Sequence, residues 1–215
     1  MRINLTLLLI LTNIAVFAIS SNGFVINEKY ALEYGFSINN FLNGNYHTLI
    51  TSFFLHADIY HLVFNMIALF FLGLSLESKV KKSRYLTAYF LGGIIGNLSV
   101  FIPIFGYTTE SISVGASAAI SALVGLGTFV CPGRLVIFGS LIPIPFVLAG
   151  AIYFLFTLSM LFEASQIAYP AHLFGMIAGS FLGFVWGKKR IKRLIIFISI
   201  CILIILLPYL IELFL

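Results

Sequence analysis

The chain has 215 residues, of which 61% are hydrophobic and only 9% charged, and its mean hydropathy is +1.12. Soluble domains carry about 25% charged residues, so the composition excludes one and points to a polytopic membrane protein whose solvent is mostly lipid. The formal net charge of +5 would suggest a nucleic-acid partner only if the basic residues formed one exposed patch, and their dispersal along the chain excludes that.

Residues 4–20 form an apolar run after Met1 and Arg2. The run reaches the lower limit of the roughly 17–25 residues that span a bilayer. Ala18-Ile19-Ser20 resembles a small-residue cleavage site, so a secretory signal is one reading. A retained first span is the preferred one, because further spans follow. Residues 21–50 are too polar to span and too long for a tight turn. Their short apolar clusters, at 30–34, Phe36 and Phe41-Leu42, suit a membrane surface.

A second span runs from about 51 or 58 to 76 and carries His56, Asp58, His61 and Asn65; Lys79, Lys81, Lys82 and Arg84 end it. The third, about 85–102, contains Gly92 and Gly96, a pair that allows close helix contact. Pro103 stops it, and a loop follows to 114. The fourth starts near 112–115 and ends at Cys131-Pro132-Gly133-Arg134. The fifth extends to about 162, with Pro143 and Pro145 near its start, and residues 163–170 form a loop. The sixth covers 171–186. Lys188, Lys189, Arg190, Lys192 and Arg193 then precede a seventh, about 194–214. The fold class expected is an all-α polytopic membrane bundle: a six-span core over residues 1–187, then a basic linker and a seventh span over 188–215.

With the N-terminus in the cytoplasm, 11 of the 12 lysines and arginines fall on inside segments, and only Lys29 is outside. Cys131 and Cys201 lie at the cytoplasmic end of span four and inside span seven, so no disulfide is expected. No Cys/His metal spacing, phosphate loop or low-complexity tract is present, and neither a metal nor a cofactor is expected.

The polar residues inside these spans share a depth. Spans two, four and six all run from outside to inside. Ser117 lies a few residues below the start of span four, in SVGASAAISAL; His172 is the second residue of span six; His61 opens the membrane part of span two, with Asn65 one turn deeper on the same face. A hydroxyl within an apolar segment costs free energy without a partner, and bonding back to its own helix is the bland solution. Convergence of four polar residues from three helices favours chemistry instead. A serine becomes a useful nucleophile when an imidazole takes its proton, and an oxyanion needs preorganised donors, for which Asn65, His61 and the Ser117 N–H are candidates. Gly175, Gly179 and Gly183 repeat every four residues and would let span six press against span four, bringing His172 to Ser117.

Three motifs together resemble the rhomboid intramembrane serine proteases: FLHADIYHLVFN at 54–65, GAS at 115–117 and AHLFGMIAG at 171–179. Their order, spacing and placement in spans two, four and six match, and the resemblance covers spans one to six. It implies Ser117 as nucleophile, His172 as base without an aspartate, and His61 with Asn65 at the oxyanion. Glu77 matches a further family position of structural character. The chain departs from the family pattern in carrying Ala118 where glycine is usual and Ser121 where an aromatic often stacks on the histidine. It also has His47-Thr48 where Trp-Arg is common in the first loop. His56 reads as a loop-packing residue.

The function implied is intramembrane serine endopeptidase. Its partners would be single-span transmembrane substrates and the lipid bilayer, with no nucleic acid, and its active site would lie near the external face. An inactive rhomboid-like protein that binds or escorts membrane helices is the alternative, although such proteins typically lack the Ser or His, or carry proline before the Ser. A transporter or channel would more naturally place ionisable groups near the midplane.

Overall fold

A computed structural model describes residues 4–137, 142–163 and 167–214, with side chains to 212. Arg2 of the charge count, positions 138–141 of the expected fifth span and positions 164–166 of the following loop lie outside the described residues.

The first helix, α1 (Leu5–Ser20), is capped by the Asn4 side chain and buries one stripe: Thr6, Leu9, Asn13, Phe17 and Ser20. A hairpin of β1 (Ser21–Asn22) and β2 (Val25–Ile26) follows. Gly23 takes φ +69 in its two-residue loop, a conformation such loops commonly need. The polar stretch beyond it holds three short helices, α2 (Glu28–Tyr34), α3 (Ile38–Leu42) and α4 (Thr48–Thr51). Phe41 of α3 lies 5.1 Å from Phe101 and 5.1 Å from Tyr46, the latter in the turn before α4, edge to face in both cases. Four side-chain bonds tie this segment together. Asn40 Nδ2 donates to the carbonyls of Leu32 and Gly35, Thr51 Oγ1 donates to the Tyr34 carbonyl, and His47 Nε2 bonds the Glu33 carbonyl.

The longer helices are α5 (Ile59–Glu77), α6 (Lys82–Leu98), α7 (Ser117–Val130), α8 (Phe146–Ser159), α9 (Tyr169–Trp186) and α10 (Arg190–Phe214). Among the described residues, α5 and α10 are long and apolar enough to cross a bilayer, while α1, α7 and α8 are apolar but shorter. Asp58 caps α5 by accepting from the His61 N–H at 2.8 Å. Glu77, the last residue of α5, accepts from Leu5 N–H, Thr6 N–H and the Thr6 hydroxyl at 2.8–2.9 Å. It thereby satisfies donors at the N-terminus of α1 that have no partner within the helix. One side chain thus docks the start of α1 onto the end of α5.

The bundle is built around α7. Every residue from Ala118 to Phe129 is buried, and α6 and α9 make its closest contacts. Glycines set the spacing. A Cβ on Gly96 would stand 2.6 Å from the Ala118 Cβ, and one on Gly183 would stand 2.9 Å from the Leu126 carbonyl. Cβ atoms on Gly175 and Gly179 would collide with the carbonyls of Ala118 and Ala122, and one on Gly92 with the Ala122 methyl. Backbone therefore packs directly on backbone along the α7–α9 seam, as small residues permit. The chief core side chains around it are Leu69, Leu72, Leu76, Tyr85, Tyr89, Leu123, Leu126, Phe146 and Met176, all almost fully buried.

The region after α7 differs from the expected one. A helix reaching from the Arg134 turn to about 162 is not formed. Instead β3 (Leu135–Ile137) pairs antiparallel with β4 (Pro143–Pro145), and α8 begins only at Phe146. The reason is local. Pro143 and Pro145 lack the N–H that a helix interior needs, and Leu-Val-Ile suits a strand. The pairing places both prolines opposite Leu135 and Ile137 on a two-stranded edge, where proline is tolerated.

Candidate active site

Ser117 is the first residue of α7. Its N-cap, Ala116, has no side chain able to bond the helix start. The N–H groups of that first turn therefore have no intrahelical partner, and the helix dipole adds partial positive charge there. The approach to Ser117 is a segment pinned at two points. Ser113 pairs with Phe36, its N–H donating to the Phe36 carbonyl at 2.7 Å, and Gly115 N–H donates to the Ser52 carbonyl at 2.9 Å. Gly115 has φ +118, and a Cβ there would stand 2.6 Å from the His61 ring. Only glycine meets both the backbone sign and the ring at this point.

His172 lies in the first turn of α9, which opens with Pro170. Its Nε2 is 2.8 Å from the Ser117 Oγ. The Tyr169 ring, one turn earlier on the same helix, stands edge-on to the imidazole at 6.1 Å and 80°. An aromatic support for His172 is thus present, but from α9 rather than from position 121.

His61 and Asn65 line the same cavity as Ser117 and His172, a volume of about 620 Å³. The Ala57 N–H donates to His61 Nδ1 at 3.4 Å. Neutral His61 then carries its proton on Nε2, the nitrogen beside Gly115. Asn65 Nδ2 donates to the His61 carbonyl at 2.9 Å, which uses one amide proton and leaves the other for the cavity. His56 is completely buried, edge-on to His61 at 5.1 Å, and its nitrogens make no hydrogen bond of normal geometry. Burial, aided by the His61 ring, pushes its pKa down to about 3, so it stays neutral and packs.

Two residues outside the expected set belong to this cavity. Asn97 on α6, almost fully buried, donates to Ser52 Oγ at 2.8 Å and the Leu49 carbonyl at 3.3 Å, and accepts from Ser113 Oγ at 3.3 Å. It staples the first loop to the segment that leads into Ser117. A lone amide in the apolar run GGIIGNLSV was a visible signal for it. Tyr153 on α8 bonds Ser121 Oγ at 2.6 Å, and nothing in its local sequence marks it.

The arrangement can do acyl chemistry. The Ser117 hydroxyl points at an imidazole that can accept its proton, at hydrogen-bond length. Donors from the α7 N-terminus and from His61 face the same space. Among the described residues, no group of three His, Cys, Asp or Glu lies close enough to hold a metal ion.

Residues 43–189 match the family model described as the Rhomboid domain. The chain is 34% identical over 151 residues to the putative rhomboid protease YdcA of Bacillus subtilis, covering 70% of this chain and 72% of that protein. It is 29% identical over 202 residues to the mitochondrial RHOMBOID-like protein 12 of Arabidopsis thaliana, covering 86% of this chain but 58% of that protein. A shorter match, 38% over 69 residues, is to the inactive RHOMBOID-like protein 8 of Arabidopsis thaliana, with 32% of this chain and 19% of that protein covered. The chain belongs to the rhomboid family of integral membrane proteins, which includes both serine proteases and inactive members.

Proposed function

We propose that this chain is an intramembrane serine endopeptidase that hydrolyses peptide bonds in the transmembrane segments of other membrane proteins. The observation that carries the reading is the 2.8 Å contact between Ser117 Oγ and His172 Nε2. In the reaction, Ser117 Oγ attacks the scissile carbonyl carbon while His172 Nε2 takes the hydroxyl proton. The carbonyl oxygen becomes an oxyanion, held by the Ser117 N–H, His61 Nε2–H and the free Asn65 amide proton. Collapse breaks the C–N bond as His172 returns the proton to the leaving nitrogen, and an ester to Ser117 remains. A water, deprotonated by His172, then hydrolyses that ester and restores the hydroxyl.

The proposed topology has seven spans, α1 and α5 to α10, with the N-terminus in the cytoplasm, the C-terminus outside and the cavity near the external face. The 11-to-1 division of basic residues supports it. A regular helix hides its carbonyls, so the preferred substrates are single-span proteins with small or helix-breaking residues near the outer end of the span. An inactive protein that only binds helices would have no use for a serine held at hydrogen-bond distance from an imidazole.

The test is cleavage of a single-span substrate by purified protein in detergent or liposomes. Wild type should produce two fragments, and folded Ser117→Ala should produce none. Equal cleavage by both would remove Ser117 from the reaction, and no cleavage by wild type across a panel of such substrates would favour the helix-binding reading.

A further inference from the structure

Helix α8 supplies none of the four residues assigned above, yet two of its residues touch the immediate neighbours of the dyad, Tyr153 at Ser121 and Phe156 at Tyr169. Ser121 lies one turn below Ser117 and is 1% exposed. Its Oγ donates to the Ser117 carbonyl at 2.7 Å. A carbonyl can only accept, so this bond uses the single proton of Ser121. The 2.6 Å contact between Ser121 Oγ and Tyr153 Oη must then run the other way, with Tyr153 donating. The chain of donors is Tyr153 to Ser121 to the Ser117 carbonyl, with a fixed direction. Three residues further on the same helix, Phe156 meets Tyr169 edge-on at 5.8 Å and 77°, and Tyr169 in turn meets His172.

The first turn of α7 needs such an anchor, because Ala116 gives it no side-chain cap. In a helix, a serine bonded back one turn often bends the backbone slightly. Here the bend would tilt the residue that bears the nucleophile. A phenol that holds Ser121 in one rotamer sets that tilt, and with it the direction of Ser117 Oγ toward His172.

We propose that Tyr153 is a positioning residue for the nucleophile, acting through Ser121 on the Ser117 peptide rather than by touching substrate. The inference rests on the Ser117–His172 reading. Its test uses full-length protein carrying Tyr153→Phe, Ser121→Ala or both. Phenylalanine keeps the ring and its packing, so the fold should survive. Two rates are read: modification of Ser117 by a small fluorophosphonate, and turnover of a single-span substrate resolved into kcat and KM. Loss of one such hydrogen bond should lower both the labelling rate and kcat about threefold to tenfold. KM should stay put, and the melting temperature should fall by no more than the few degrees that one hydrogen bond is worth. The double variant should be no slower than the slower single one, because the two side chains form one chain of donors.

Wild-type labelling with an unchanged Tyr153→Phe rate would overturn the positioning role and leave the dyad intact. A raised KM with unchanged kcat would make Tyr153 a substrate contact and also overturn it, as would multiplicative losses in the double variant. A loss of rate that accompanies a drop in melting temperature beyond those few degrees would reduce Tyr153 to a packing residue and overturn the positioning role. Wild type that does not label at Ser117 would bring down the dyad reading and this one together.

Discussion

The roles proposed for individual side chains differ in how replaceable they are. Among the described residues, His172 is the imidazole placed against Ser117 Oγ, whereas the oxyanion would have several donors. Asn65 already spends one amide proton on the His61 carbonyl and contributes what remains. Loss of one oxyanion donor in soluble serine proteases costs about 2.7 to 4 kcal/mol. In a site with several donors, Asn65→Ala should cost that or less, slowing turnover without abolishing it. His172→Ala should remove turnover altogether. Steady-state rates on purified variants check the order, and equal losses for the two, or no loss for Asn65→Ala, would make Asn65 a packing residue between α5 and α7.

Gly115, His61 and Ser117 show how much of this was legible one residue at a time. The spacing of His61 and Asn65 put both on one helix face, Ser117 stood out as a hydroxyl in an apolar run, and Gly115 stood out through the GAS motif that resembles the rhomboid pattern. Tyr153 did not announce itself, and Ser121 stood out only as a departure from the family pattern, not as a partner of Tyr153. Their bond joins residues 32 positions apart, and no local pattern encodes such a partner.

Among the elements, the seam between α7 and α9 is decisive. Gly179 places its α-carbon against the Ala122 carbonyl, with no room for a methyl group. Overpacked cores lose about 1 to 3 kcal/mol, and here the strain falls on the contact that sets the distance between Ser117 and His172. Gly179→Val should therefore lower the melting temperature by several degrees and reduce turnover more than tenfold. Differential scanning fluorimetry and substrate cleavage measured side by side would check this. Loss of neither would mean that α9 can shift without disturbing the dyad. The glycine spacing of α9 was readable in the sequence, whereas the capping role of Asp58 emerged only with the His61 N–H bond that ends on it. The β3–β4 hairpin was not, because an apolar run of leucine, valine and isoleucine fits a buried helix or a strand equally until Pro143 and Pro145 are given their due.

For the whole molecule, orientation determines which side of the membrane the cavity faces. The basic residues at 79–84 and 188–193 should face the cytoplasm, and the loop around 108 should face outside. Reporter fusions at positions 82, 190 and 108 should read inside, inside and outside. The reverse pattern would place the cavity on the cytoplasmic side and defeat the topology.

Activation of Ser117 as a nucleophile is tested by labelling the purified full-length protein with a fluorophosphonate, followed by mass spectrometry of the modified peptide. One adduct is expected, on Ser117, formed at a rate that falls to background in His172→Ala. An adduct elsewhere, no adduct at all, or labelling of Ser117 that is indifferent to His172 would rule out an activated Ser117.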